Sequence, residues 1–251
     1  AFSYFGQSEG SSIPVPFGVP ILGGNTVGMV GGGFYDINSD QEPINDRDGQ
    51  LINLTIDYAF NDRWSIKSIT SSQSMDRFLR DDLDSTDANL FGQNNYTEES
   101  DSFGQELILN YSADRLDVLG GVMYFEEDLY GEVRVPLTNL CFLLAPAACG
   151  TPVGDFLNGG NYLQDGDVDI EAWGAYVEAN YSISDKWSVI AGLRYNYEER
   201  DGTGSFIFDA ISLNVPTNQR ESWNDLTPRI TLQYSPNDNM LLYATYTEAF
   251  K

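Results

Sequence analysis

The chain has 251 residues, with 38 acidic and 13 basic side chains, no histidine and two cysteines, giving a formal net charge of −25. An apolar share of 41% with 13% aromatics excludes a disordered chain, the shortage of clustered Lys and Arg excludes a nucleic-acid partner, and the cysteine and histidine counts exclude zinc sites and His-dependent triads within this stretch. No run approaches the length of an apolar spanning helix, and the opening AFSYFGQSEG lacks the basic and apolar regions of a signal peptide.

Residues 1–49 hold two Gly-rich stretches, GVPILGG at 18–24 and MVGGGFYDI at 29–37, and read as a loop or strand end leading into a strand at residue 50. They carry no phosphate-loop spacing ahead of a helix. From Gln50 to Phe60 the even positions Ile52, Leu54, Ile56, Tyr58 and Phe60 are apolar, against Asn53, Thr55 and Asp57. Successive side chains on a helix turn by about 100°, so strict alternation predicts a strand. Residues 63–74, 102–112 and 115–126 are strand-like but less regular. The last contains Gly120 and Gly121, a pair that marks a bend, a bulge or a close backbone approach. Trp173–Tyr181, Trp187–Tyr197 and Leu226–Tyr234 alternate as cleanly as the first strand, and 239–250 completes the set with an ambiguous phase at Leu241, Leu242 and Tyr243.

These strands pair across short polar turns at Asn61-Asp62-Arg63, Ala113-Asp114-Arg115, Ser184-Asp185-Lys186 and Asn237-Asp238-Asn239. Long loops rich in Asp, Asn, Gly and Ser are expected at about 75–101, 127–167 and 200–222. Tight turns at one end and long loops at the other fit a transmembrane barrel better than a Greek-key sandwich, which distributes its connections over both ends. A ten-residue strand at about 3.3 Å per residue, tilted by about 40°, rises about 25 Å, the height of the apolar band in that class. The mean hydropathy of −0.30 fits as well, because half of every strand faces a polar lumen. The expected fold class is therefore all-β, an antiparallel up-and-down transmembrane β-barrel segment of about eight strands in four hairpins, with short periplasmic turns and long extracellular loops.

Tyr58, Phe60, Trp64, Tyr111, Tyr181, Trp187 and Tyr234 all lie near a short turn and form the expected membrane-interface girdle, where an aromatic ring brings an apolar body and a polar tip to headgroup level. Asp57, Glu178, Arg194, Asp225 and Arg229 fall on the polar side of their strands and are expected to face the lumen, as are Glu106 and Asp117.

The run EAWGAYVEANYSISDKWSVIAGLRYNYEERD (171–201) resembles the barrel of TonB-dependent outer-membrane receptors, in which a strand, an Asp-Lys or Asp-Arg turn and a strand ending in Gly-Leu-Arg-Tyr recur. SFGQELIL (102–109) is similar to the family's Phe-Ser-Gln-Glu-Leu-Arg-Leu strand, and DLTPRITLQYSPNDNMLLYATYTEAFK (225–251) to its Thr-Pro-Arg hairpin. DYAFNDRWSIKSIT (57–70) matches in style. Gly104 stands where the family has Ser, and Glu248 and Ala249 replace its small-residue and Gly stretch. The resemblance covers most of 50–251, with 1–49 a loop or strand-end region, and implies a plug domain followed by a barrel of about 22 strands. Neither a plug nor a TonB box is visible ahead of residue 50.

Cys141 and Cys149 flank FLLAPAA in the 127–167 loop and are expected to pair, since outer loops sit in an oxidising setting. The acidic runs Asp76, Asp81, Asp82, Asp84, Asp87, then Glu98, Glu99, Asp101, and Glu126, Glu127, Asp128 read as solvated loop charge. Asp165, Asp167 and Asp169 lack the further ligands of a calcium loop, and no carboxylate pair is fixed at a glycosidase spacing. No metal, cofactor or catalytic residue is assigned.

The expected function is transport of a scarce ligand, such as a ferric siderophore, across the bacterial outer membrane. The resemblance implies outer-membrane lipid and, through the plug region, the TonB–ExbB–ExbD system as partners. A passive porin or adhesive barrel, and a secreted acidic glycan-binding β-protein, are the alternatives.

Overall fold

The computed structural model describes residues 41–82, 92, 94–138, 141 and 146–249, together with three two-residue strands, Phe2–Ser3 (β1), Val19–Pro20 (β2) and Thr26–Val27 (β3). The side chains of 155–157 are not among the described parts. The eight long strands are Ile44–Ala59 (β4), Trp64–Asp81 (β5), Asn94–Ala113 (β6), Leu116–Leu137 (β7), Gly160–Ser182 (β8), Trp187–Phe208 (β9), Leu213–Asn237 (β10) and Met240–Thr247 (β11). They lie in one antiparallel sheet in sequence order, β4 through β11, with β1 added beside β4, while β2 and β3 pair separately. Each neighbour is a direct hairpin, so the up-and-down meander expected from the sequence is the observed topology.

The short turns fall at 60–63, 114–115, 183–186 and 238–239. Side chains replace backbone partners at three of these four reversals. Asn61 Oδ1 accepts from the Arg63 and Trp64 amides at 2.9 and 3.1 Å, Ser184 Oγ accepts from the Trp187 amide at 3.2 Å, and Asn237 Oδ1 accepts from the Asn239 amide at 3.1 Å. This is the local chemistry for which Asn and Ser are favoured in turns.

At the other end the structure departs from the expected loops. Strands β7, β8, β9 and β10 are 22, 23, 22 and 25 residues long, and pairing extends through 75–81 and 94–101, 127–137 and 160–167, and 200–208 and 213–222, all within the expected loops. The connections shrink to 82–93, 138–159 and 209–212. The strand before the first hairpin likewise begins at Ile44 rather than 50. Composition misleads here because Asp, Asn, Ser and Gly read as loop residues, whereas a neighbouring strand offers backbone partners at every rung. Side chains reinforce the ladder, through Ser100 Oγ to Glu127 Oε1 at 2.7 Å and Arg80 Nε to Asn95 Oδ1 at 3.2 Å. A 22-residue strand is about 73 Å long and, tilted by about 40°, rises about 55 Å, roughly twice the apolar band of a membrane barrel.

The connection 138–159 is a compact cassette. Cys141 and Cys149 are joined by a disulfide with Cα atoms 5.4 Å apart. A 3-10 turn at Pro146–Ala148 and a short helix at Pro152–Leu157 follow, with the Thr151 hydroxyl accepting from the Gly154 amide at the N-cap. Asn158 closes the cassette, accepting from the Cys141 amide at 3.0 Å. The Gly92 amide donates to the Pro136 carbonyl at 2.8 Å, tying the neighbouring connection to the end of β7. Asp84 and Asp87, the segment MVGGGFYDI, most of GVPILGG and residues 142–145 of FLLAPAA lie outside the described residues.

Candidate functional site

Directly opposed residues of an antiparallel ladder share a face. The register therefore sorts the sheet into two, named here for Trp173 and Tyr176. Val122, Ala175, Tyr195 and Leu226 lie on the Trp173 face, as do Val177, Leu193 and Pro228 one rung away. These side chains are uncovered: Ile56 is 55% exposed, Val177 48% and Ile230 52%. Among the described residues the only buried hydrophobic side chains are Val135, Leu137 and Cys141, all near the connections rather than in this band. A water-soluble protein does not leave so large an apolar surface bare, and a sandwich would have packed it against a second sheet.

Two aromatic belts bound this band. The first gathers the residues that the sequence led us to expect at a membrane interface. Trp64 meets Tyr111 at 4.7 Å between ring centroids, Trp187 stacks on Tyr234 at 4.4 Å, and Tyr58 meets Phe60 edge-on at 5.1 Å, with Tyr181 beside them on the same face. Phe60 sits in the turn rather than in its strand. The second belt escaped the sequence reading: Trp173 contacts Tyr195 and Tyr197 at 5.2 and 5.7 Å and pairs with Tyr124 across β7 and β8, with Phe103 farther along on β6. Its signal was a spacing of eight residues, seen in Tyr111 to Phe103, Tyr181 to Trp173 and Trp187 to Tyr195. Eight residues span about 26 Å along a strand, or about 20 Å of height at a tilt near 40°. Beyond the second belt the same face turns acidic, with Glu126, Glu171 and Glu199 on one rung and Asp128, Asp169 and Asp201 on the next. Arg220 pairs with Glu199 and reaches Asp201 at 3.6 Å, and the Tyr197 hydroxyl and Arg220 hold the Glu199 carboxyl below the usual range.

Strand β5 breaks the apolar band with Ser68, Thr70 and Ser72, which explains its irregular sequence pattern. Gln105 from β6 partners two of them: Thr70 Oγ1 donates to Gln105 Oε1 at 2.7 Å, and Gln105 Nε2 donates to Ser68 Oγ at 3.1 Å. Ser68, Thr70 and Gln105 thus satisfy one another within the apolar band.

The Tyr176 face carries the ionisable residues singled out from the sequence. Lys67 and Asp57 pair at 3.3 Å and Arg229 and Glu178 at 3.4 Å. Tyr176 donates to Glu106 Oε1 at 2.7 Å, Arg194 lies over the Tyr176 ring at 5.6 Å, and its Nε donates to Asn196 Oδ1 at 2.6 Å. Asp225 pairs with Asn196 in the register, and Asp117 with Asn180, on the same face. Tyr176 is the residue that the sequence did not flag. It lies over Gly121, where an added Cβ would come within 2.6 Å of its ring and hydroxyl. The glycine pair of β7 therefore marks a close approach.

Higher on this face a trough of about 560 Å³ opens where Gly131, Gly166 and Gly204 oppose one another across β7, β8 and β9. Tyr96, Val133 and Gln164 stand along one side of it, Leu129 and Val168 along the other, and Glu98 at one end. Glu98 is paired with Arg77 at 3.0 Å. Burial, followed by the negative charge of Asp81 and the neighbouring Tyr162, pushes the Tyr96 phenol above its ordinary pKa, so it remains a hydrogen-bond donor. The acidic residues expected in loops instead lie in strands, with Asp76 and Asp81 in β5, Glu98, Glu99 and Asp101 in β6, and Glu126, Glu127 and Asp128 in β7. Among the described residues no three acidic or cysteine side chains are gathered as a metal-ligand set.

Comparison with known proteins agrees with this architecture. The family described as TonB dependent receptor-like, beta-barrel matches residues 3–251. The ferric-pyoverdine M114 receptor PbuA of Pseudomonas sp. (strain M114) is 26% identical over 117 residues, covering 47% of this chain and 12% of that receptor. Among solved structures, the ferric yersiniabactin uptake receptor FyuA from Yersinia pestis superposes with a TM-score of 0.65 at 13% identity, over 81% of this chain and 28% of FyuA. The ferric-catecholate import receptor Fiu from E. coli K12 in its open form gives 0.53 at 14% identity, over 94% of this chain and 40% of Fiu. These structural likenesses show the fold, and the chain spans well under half of each relative. An open up-and-down sheet with an uncovered apolar band, matched end to end by that family, leaves one assignment: the chain belongs to the TonB-dependent receptor-like β-barrel family.

Proposed function

We propose that β4–β11 form part of the wall of an outer-membrane receptor that takes up a scarce ligand, a ferric siderophore, in a TonB-dependent manner. The Trp173 face meets lipid, the Tyr176 face meets the lumen, the short turns are periplasmic and the long strand ends project outside the cell. The observation that carries this reading is the bare apolar band held between two aromatic belts, with the ion pairs at its height, Lys67–Asp57 and Arg229–Glu178, on the opposite face. Family membership and the ferric-pyoverdine, ferric yersiniabactin and ferric-catecholate receptors among the relatives support the choice of ligand class and of energy coupling. A plug elsewhere in the full receptor and the TonB–ExbB–ExbD system would supply the gating, and this segment supplies the wall and the vestibule.

The test is accumulation of radioactive iron, supplied as ferric pyoverdine or a ferric catecholate, in cells carrying the full-length gene. Accumulation should fall to the level of a strain lacking the gene when TonB is deleted or the proton-motive force is collapsed. Uptake indifferent to both would indicate a passive pore, and failure of every ferric chelate to accumulate would remove the siderophore assignment.

A further inference from the structure

We infer that the trough floored by Gly131, Gly166 and Gly204 is a subsite for a flat, uncharged ring of the transported ligand. The inference rests on the reading of the Tyr176 face as the lumen of an uptake receptor and assigns one part of that lumen to recognition.

The first argument is that nothing in the strand packing requires the opening to exist at Gly131. A Cβ built there meets no atom within 4 Å, so any residue of ordinary strand conformation would fit, and a side chain would stabilise the strand. Gly204 differs, since a Cβ there would meet the Asp165 carbonyl oxygen at 2.5 Å, which ties that glycine to close strand approach. Gly166 is tight as well, with a Cβ 3.2 Å from the Thr203 carbonyl oxygen, so packing explains two of the three glycines, while the space over Gly131 is left unfilled by the described side chains.

Size and shape come next. Three strands at about 4.8 Å spacing make a floor about 10 Å across, and the side chains two residues above and below leave about 13 Å along the strands. A floor of bare backbone is flat, so it accepts the face of a ring, which buries apolar area with little entropy to lose. Leu129 and Val168 supply apolar contact, and Tyr96 and Gln164 supply hydrogen-bonding groups at the opposite edge.

Charge settles the class of group. The chain carries a net charge of −25, and at this height the Trp173 face presents Glu132, Asp165 and Asp167. Among the described residues the trough has a single charged side chain on the Tyr176 face, Glu98, which is paired with Arg77. An anionic group would meet the surrounding field with no cation to receive it, and a free cation would bind the acidic margins in preference to the trough. A neutral ring fits where both are disfavoured.

The experiment uses the full-length receptor in detergent, with ferric pyoverdine, ferric yersiniabactin and ring-free ferric citrate as probes and tryptophan fluorescence quenching as the readout. Gly131→Trp fills the trough and should weaken binding of the ring-bearing chelate that the wild type binds by at least about tenfold, or about 1.4 kcal/mol. Gly131→Ala and Tyr130→Trp, the latter on the opposite face, should stay within about twofold. Retention of heat-modifiable mobility in gels establishes that the variants are folded, and Gly131→Leu serves as a smaller filling variant if tryptophan impairs assembly. Unchanged affinity in a folded Gly131→Trp or Gly131→Leu receptor overturns the subsite while leaving the siderophore reading intact. The subsite is equally overturned if filling alters only thermal stability, because the occupant would then be a segment of the receptor itself, or if the bound chelate is ferric citrate alone. Binding of no ferric chelate by the wild type overturns the siderophore reading and the subsite with it.

Discussion

Replacing Ala191 with arginine in the full-length receptor should cost about 2–4 kcal/mol of folding free energy in a bilayer, whereas the same replacement at its neighbour Ile190 should cost about 1 kcal/mol or less. Ala191 lies on the Trp173 face between Ala179 and Ile230, midway between the Trp187 and Tyr195 belts. On the proposed reading an arginine there sits near the centre of the hydrocarbon, about 10 Å from either interface, and the same face of the adjacent strands β8 and β10 offers it no carboxylate within the band. Ile190 lies on the Tyr176 face between Asn180 and Thr231, so its replacement would extend into the wet lumen, toward Glu178. Equilibrium unfolding in vesicles reads the difference directly. Equal costs at the two positions would mean that the faces have been assigned to the wrong solvents.

Gly121→Leu should destabilise the receptor by about 1–3 kcal/mol, a larger cost than the usual gain of a side chain over glycine in a strand. The new Cβ would come within 2.6 Å of the Tyr176 ring and hydroxyl and 3.0 Å from the Leu107 carbonyl oxygen. The ring must swing away, which breaks the hydrogen bond to Glu106 and removes the surface over which Arg194 lies. Tyr176→Phe isolates the hydroxyl and should cost only about 0.5–1.5 kcal/mol. The decisive comparison is a double-mutant cycle: in a Tyr176→Ala background Gly121→Leu should lose most of its penalty, because the ring it evicts is gone. Strict additivity would show that the glycine serves the backbone rather than the tyrosine.

Much of this fold was legible in the sequence because period-2 alternation survives wherever one face of the sheet is apolar and the other polar. Trp187–Tyr197 and Gln50–Phe60 show it without interruption, and the four Asn, Ser and Asp turns mark the reversals between them. The pattern fails where both faces meet the same solvent. Beyond the second belt, residues such as Asp165, Gly166, Asp167 and Gly204 are polar or small on either side, so no alternation remains to distinguish a strand from a loop. It fails also at Ser68 and Thr70, whose exposure on the apolar face is made tolerable by Gln105 from a different strand. The ionisable residues of the Tyr176 face were readable one strand at a time, but their pairings were not, since Arg229 reaches Glu178 across β9 and Tyr176 reaches Glu106 across β7. The trough was invisible for the same reason: Gly131, Gly166 and Gly204 form one rung only after the register is known.

Because both the transport reading and the subsite depend on which face meets lipid, the most direct test is spin-label accessibility along β9 in the full-length receptor reconstituted in bilayers. Single nitroxide labels from 188 to 199 should alternate, with odd positions relaxed by oxygen and even positions by a water-soluble nickel complex. The oxygen signal should be strongest near 191 and 193 and fade beyond Tyr197. Uniform accessibility, or odd positions open to the nickel complex, would contradict the assignment of the Trp173 face to lipid.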